Sequence, residues 1–202
     1  MGTDRIKLLI IDFNGVLAYG NYHTLAGWLA RKYHREEKEI YQILYHKWFN
    51  KAAEGLISEK SFFEKALNEL GFPLTWQAAR KKYMSAVIPN KLLVRYLVGV
   101  QKSGVKILIL SKNVPSQFRE GVKICGLRKH FRNILNTFDL GLPKANRQTM
   151  LYIMKKFKVE AGDCVFIDDQ DFNLVKARKL GIHTIVYKNF PQLKKELMKL
   201  IP

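Results

Sequence analysis

The chain has 202 residues, 48% apolar and 26% charged, enough to bury one sizeable core or a core with a small accessory unit, which excludes a disordered or fibrous protein. Cys125 and Cys164 are the two cysteines; with no CxxC spacing and no His/Cys cluster they exclude a disulfide scaffold and a structural zinc site, and both are expected as buried free thiols. The net charge of +18 (35 Lys/Arg, 17 Asp/Glu) lies mostly in residues 91–202, with 22 basic against 8 acidic residues, a field that favours phosphate esters, nucleotides or nucleic acid and says nothing about fold.

Asp4, Arg5 and Lys7 accompany the first apolar run, IKLLII (6–11), and do not fit a secretory signal. The longest uncharged stretch, from Phe13 to Ala30, is broken by Asn14, Asn21, His23 and three glycines, so it is no membrane span. A cytoplasmic protein without a membrane partner is the expectation. After Gly20 no strand-like run appears for nearly seventy residues, and every segment has helical spacing. Ser58 is placed as an N-cap with Ile57 and Phe62 as a hydrophobic staple; Phe63, Ala66, Leu67 and Leu70 continue the apolar face to Gly71, and Thr75 can cap the next helix.

From residue 89 onward the pattern alternates. Helices are predicted over Lys91 to Ser103, Val114 to Cys125, Ala145 to Lys158, Asn173 to Leu180 and Pro191 to Leu200, with strands at VKILIL (105–110), NILN (133–136), CVFI (164–167) and HTIVY (183–187). Near-continuous apolar strands alternating with helices imply an α/β fold, a doubly wound, Rossmann-like parallel sheet of five strands. Residues 1–19 and 89–202 are expected to form this core, and residues 20–88 an all-helical domain inserted after the first strand. An insertion at that point lies beside the crevice where such sheets bind ligands, so it is placed to act as a lid.

Polar groups stand at the strand ends: Asp12 after the first, Ser111-Lys112-Asn113 after the second, Lys144 beyond the third, and Asp168-Asp169 after the fourth. Singly, each has an ordinary reading as a turn former, a helix cap or a solvated lysine. A parallel sheet, however, opens all these ends on one edge. Two carboxylates there can hold Mg²⁺, a carboxylate can attack phosphorus, and a lysine, a hydroxyl and backbone N–H groups can bind the transferring oxygens. Asp171 and Asn173 read as caps of the following helix, and His183 as structural.

These motifs resemble those of the haloacid dehalogenase superfamily, in the subgroup with a helical cap inserted after the first strand. Asp12-Phe13-Asn14-Gly15-Val16 is similar to its first motif except at the third position; Ser111, Gly141-Leu142-Pro143-Lys144 and FIDDQDFNLVKARKLGI (166–182) resemble the other three, with Ala145 where a proline is usual. The resemblance implies a hydrolase, most simply a phosphatase acting on a small phosphorylated substrate. It implies Asp12 as nucleophile, Mg²⁺ on Asp12, the carbonyl of Asn14, Asp169 and Asp168, and substrate contacts from Ser111, Lys112, Asn113 and Lys144. Asn14 stands where relatives carry an acid that exchanges protons with leaving group and water, a service worth roughly 10²–10⁴ in rate. The amide fits a slow or specialised phosphatase with another donor such as His23 or Tyr22, a substitution that traps a complex, or a catalytically silent protein that binds a phosphorylated ligand. The first is preferred because the other motif positions are filled. Specificity is expected from cap residues among Tyr22, His23, Trp28, Trp48 and Lys51. A nucleic-acid module is the rival: Arg119, Lys123, Arg128, Lys129, His130 and Arg132 cluster with Phe118 and Phe131 between them.

Overall fold

The first apolar run forms β1 (Leu8–Ile11), with all four residues buried, as befits a strand covered on both faces. The computed structural model describes residues 6–201; Asp4 and Arg5 of the charged lead-in, and the remaining ends of the expected core domain, lie outside them. Beyond β1 the chain turns tightly, with Leu17 and Ala18 N–H both donating to the Phe13 carbonyl, into β2 (Ala18–Tyr19). That strand pairs antiparallel with β3 (Ile88–Pro89), so a two-stranded ribbon joins the ends of the inserted segment. Its two-residue strands are too short to show a period in sequence. Gly20 at φ +85° makes the crossing possible, because a Cβ there would meet the Ala86 carbonyl oxygen at 1.9 Å.

Between β2 and β3 the regular structure is entirely helical: α1 (Tyr22–Tyr33), α2 (Glu37–Tyr41), a π-helical stretch (Gln42–Phe49), α3 (Asn50–Ala53), α4 (Glu59–Leu70) and α5 (Trp76–Ser85). Ser58 and Thr75 cap α4 and α5 as expected, accepting from the N–H groups of Ser61 and Ala78. Asn21 caps α1 in the same way through His23 and Thr24 N–H.

The alternating part then runs α6 (Lys91–Lys102), β4 (Lys106–Ser111), α7 (Pro115–Ile124), β5 (Asn133–Asn136), α8 (Thr137–Leu140), α9 (Arg147–Phe157), β6 (Cys164–Asp168), α10 (Asp171–Arg178), β7 (His183–Val186) and α11 (Phe190–Leu200). The five predicted strands make one sheet in the order β5-β4-β1-β6-β7, with every pairing parallel. In β1, Leu8 and Ile10 point to the face covered by Met150, Ile153 and Leu174, while Leu9 and Ile11 join the face covered by Leu93, Leu97 and Phe118. The second cluster continues unbroken into the insert through Leu25, Phe49, Phe62 and Tyr83. Insert and sheet therefore share apolar burial, at about 1.5–3 kcal/mol for each such side chain removed from water. Cys164 is buried as expected, but Cys125 is only partly so, because it ends α7 near the surface; both thiols are free. Among the described residues no helix is long and apolar enough to cross a membrane.

Candidate active site

Strand order places β1 between β4 and β6, which brings Asp12, Ser111 and Asp168 to adjacent strand ends. The Asp12 N–H donates to the Ile167 carbonyl at 2.9 Å, extending the β1–β6 ladder by one residue and fixing Asp12 beside the acidic pair. Asp12 Oδ1 accepts from Phe13 N–H at 2.6 Å and from Lys144 Nζ at 2.5 Å. Lys144 also reaches Asp168 Oδ2 at 2.7 Å, so one ammonium bridges carboxylates from two strands. Lys144 is 4% exposed and Asp168 0%, which makes this pairing a buried one.

Asp168 is saturated, since it also accepts from Gln170 N–H at 2.9 Å and from Asn173 Nδ2 at 3.0 Å. Asn173 thus corrects its reading as a helix cap: it lies one turn into α10 and holds the Asp168 carboxylate. Asp171 does not cap with its side chain either; it pairs with Arg178 at 2.8 Å, and Gln170 occupies the cap position. Asp169 by contrast keeps an unpartnered buried oxygen, Oδ1. Room for it comes from Gly15, at φ +82°, where a Cβ would lie 2.1 Å from Asp169 Oδ2.

The oxygens of Asp12, Asp168 and Asp169 lie within 4.8 Å of one another. Three carboxylates around one ammonium leave the cluster short of positive charge. Burial, with Asp168 and Asp169 adding to it, pushes the Asp12 carboxyl well above its usual range despite the pull of Lys144. Burial and Asp168 push Asp169 up to about 6. Burial alone would lower Lys144, but Asp12 and Asp168 outweigh it and hold it charged. Among the described residues, the other buried side-chain atoms without a partner are Asn14 Oδ1, Ser111 Oγ and Gln117 Nε2. Unsatisfied polar atoms are costly in a fold, and their concentration on one sheet edge marks a place made for a polar ligand.

A cavity of about 220 Å³ opens on this edge. Asp12, Asn14, Lys112, Lys144 and Asp169 line it, so five of the residues singled out from sequence converge. Lys112 is held there by Asn50 Oδ1 at 2.9 Å. Ser111 and Asn113 are not on the wall: both are 1% exposed. The Asn113 side chain accepts from Val114 N–H at 2.8 Å, and its main chain is bracketed by Asn136, which makes it a loop brace.

Of the five residues expected to set specificity, only Tyr22 reaches the cavity, and its hydroxyl donates to Gln117 Oε1 at 2.7 Å. His23 turns away and stacks on Tyr41 at 3.6 Å between ring centroids, while the Trp48 indole N–H donates to Glu69. The insert's wall is instead built by Tyr41, Tyr45, His46, Phe49 and Asn50. The four-residue spacing of Tyr41, Tyr45 and Phe49 was the available signal, since such residues share a helix face. Phe172 and Asn173 of α10 complete the cavity from the core side. The basic cluster remains exposed, but Phe118 and Phe131 are buried in the core and offer no ring to a base.

Residues 6–181 match the family described as haloacid dehalogenase-like hydrolase. The chain belongs to this family. Among solved structures, the HAD family enzyme BT-2542 of Bacteroides thetaiotaomicron superposes with a TM-score of 0.77 at 16% identity, covering 94% of this chain and 98% of that one. Its wild-type complex with magnesium and inorganic phosphate gives a TM-score of 0.71 at 16% identity over 93% and 98% of the two chains. L-2-haloacid dehalogenase of Xanthobacter autotrophicus, with chloropropionic acid covalently bound, reaches 0.65 at 17% identity over 98% and 85%. In sequence, bifunctional epoxide hydrolase 2 of Mus musculus is 26% identical over 120 residues, 57% of this chain and 22% of that protein. This haloacid dehalogenase-like chain therefore spans less than a quarter of the length of the curated relatives it matches.

Proposed function

We propose that the chain is a magnesium-dependent phosphomonoesterase acting on a small phosphate ester through Asp12. The observation that carries this reading is the buried Asp12–Lys144–Asp168 bridge with an unpartnered oxygen of Asp169 beside it. The donor set fits Mg²⁺: all-oxygen ligands, excess negative charge, and a neighbour of the same fold crystallised with magnesium and inorganic phosphate. Asp12, Asp169 and the backbone carbonyl of Asn14 would hold the ion, and Asp168 would act from behind through Lys144 and Asn173. Bound there, Mg²⁺ offsets the charge of the phosphoryl oxygens.

The remaining work falls to the chain itself. Phe13 N–H and Lys144 orient the Asp12 carboxylate, one of whose oxygens attacks phosphorus as the bond to the leaving alcohol breaks. Lys144 and Lys112 neutralise and bind the phosphate, and water then cleaves the aspartyl phosphate. The segment 20–88 serves as a cap over a core of residues 1–19 and 89–202, closing a cavity that admits only a small ester. Two free thiols suit a cytoplasmic enzyme.

Asn14 favours a second reading, a catalytically impaired family member that binds a phosphorylated ligand, because its amide cannot exchange a proton at neutral pH. One experiment separates the two: phosphate release from p-nitrophenyl phosphate, with and without Mg²⁺, by this protein and by Asp12→Asn. The phosphatase reading expects metal-dependent release that the substitution abolishes. Equal release by the variant would overturn the role of Asp12, and no release would favour the binding protein.

A further inference from the structure

Resting on the phosphatase reading, the geometry points to a substrate class: phosphate monoesters of a single-ring aromatic hydroxyl, with the ring seated on the insert's aromatic wall. Three independent observations converge on it.

The first concerns the leaving group. Residue 14 offers an amide in place of an acid, and two hydroxyls of the insert are already engaged. Tyr22 donates to Gln117, and Tyr83 lies between the side-chain amides of Asn113 and Asn14. With both hydroxyls so engaged, neither is a free acid. An ester of an aromatic hydroxyl needs none. As Asp12 forms its bond to phosphorus, the P–O bond breaks with its electron pair on a phenolate, whose conjugate acid has a pKa of about 10, whereas an alkoxide is far more basic and closer to hydroxide. Water then attacks the aspartyl phosphate, Asp12 leaves as its carboxylate, and the water protons pass to phosphate and solvent.

The wall supplies the second observation. Tyr41, Tyr45 and Phe49 form a row of near-parallel rings, with centroids 5.1 Å apart at each step and interplanar angles of 13° and 15°. Tyr22 abuts Phe49 at 4.6 Å, and Phe172, 62% exposed, adds a ring from α10. The row runs along the π-helical stretch, an irregularity frequently found at functional sites. The rings largely cover one another's faces, and His23 stacks on Tyr41, so the wall meets the cavity mainly through ring edges, which favour a flat aromatic body by edge contacts. Third, the cavity of about 220 Å³ falls below the roughly 300–1,000 Å³ usual for small-molecule pockets, which suits a ligand of one ring.

The test compares phenyl phosphate with cyclohexyl phosphate, matched in size but differing in aromaticity and leaving group, with acetyl phosphate as a ringless acyl phosphate whose acetate leaves without protonation. Expected are a kcat/KM for phenyl over cyclohexyl phosphate of roughly 10²–10⁴, and a gap that Asn14→Asp narrows by accelerating the cyclohexyl ester. Phe172→Ala, at an exposed position tolerant of truncation, should raise KM for phenyl phosphate severalfold more than KM for acetyl phosphate. Cyclohexyl phosphate turned over as well as phenyl phosphate would overturn the inference, as would a mononucleotide preferred to both. Asp12-dependent release from acetyl phosphate without release from phenyl phosphate would remove the aromatic substrate and leave the phosphatase standing; no release from any ester would remove both.

Discussion

The sheet edge and the insert's wall meet at one cavity but are built by opposite means. On the edge, Asp12, Lys144 and Asp168 come from separate parts of the chain and are locked by short, buried, charge-assisted contacts, so each carboxylate has one position. On the wall, Tyr41, Tyr45 and Phe49 come from one continuous helical run and touch through ring faces, with a Tyr45–Gln170 side-chain contact as a link to the edge. The insert is tied down further out, by Arg80 to Glu59 and Glu120 and by Ser116 to Glu59. On the proposed function, chemistry would sit on rigid, preorganised groups, and selection of the substrate on a separate surface.

That contrast can be broken or sharpened by substitution. Lys144→Met should have the largest effect. It leaves two buried carboxylates unpaired, costing about 3–5 kcal/mol of stability in denaturant titration and abolishing turnover of every ester. A Lys144→Met protein with full stability would show the edge is not locked as described. Asn173→Leu should come next, by loosening Asp168: a rise of roughly 10–100-fold in the Mg²⁺ concentration needed for half-maximal rate, with the ester preference unchanged. Gly15→Ala drives a methyl into Asp169 and strains a left-handed turn by about 1–2 kcal/mol. It should likewise weaken Mg²⁺ binding, measured by calorimetry; unaltered affinity would remove Asp169 from the ligand set. Arg80→Ala should do least, lowering stability by about 1 kcal/mol or less because its pairs are partly solvated, and altering KM more than kcat.

Most of the edge was legible because it depends on two local signals, an apolar run and the polar residue that ends it. All five strands and the convergence of Asp12, Lys144 and Asp169 followed from placing those ends on one side of a parallel sheet. The helical character of the insert was equally readable, but not its facing residues. Those depend on how the bundle docks: His23 of α1 stacks on Tyr41 outside the cavity lining, while Tyr45 of the π-helical stretch lines it. Asn173 escaped for a different reason: an amide near a helix start reads as a cap, and its hydrogen bond back to Asp168 exists only once α10 leaves β6 at this angle. The ribbon of β2 and β3 has too few residues to carry any pattern.

On the proposed mechanism Asp12 accepts the phosphoryl group, while Asn14 leaves the second step without a base. Incubation with phenyl phosphate and Mg²⁺, acid quenching and peptide mapping by mass spectrometry test it directly. The account predicts a phosphoryl adduct on Asp12 that accumulates in this protein and drops sharply in Asn14→Asp. An adduct on another residue, or none at all during turnover, would contradict it.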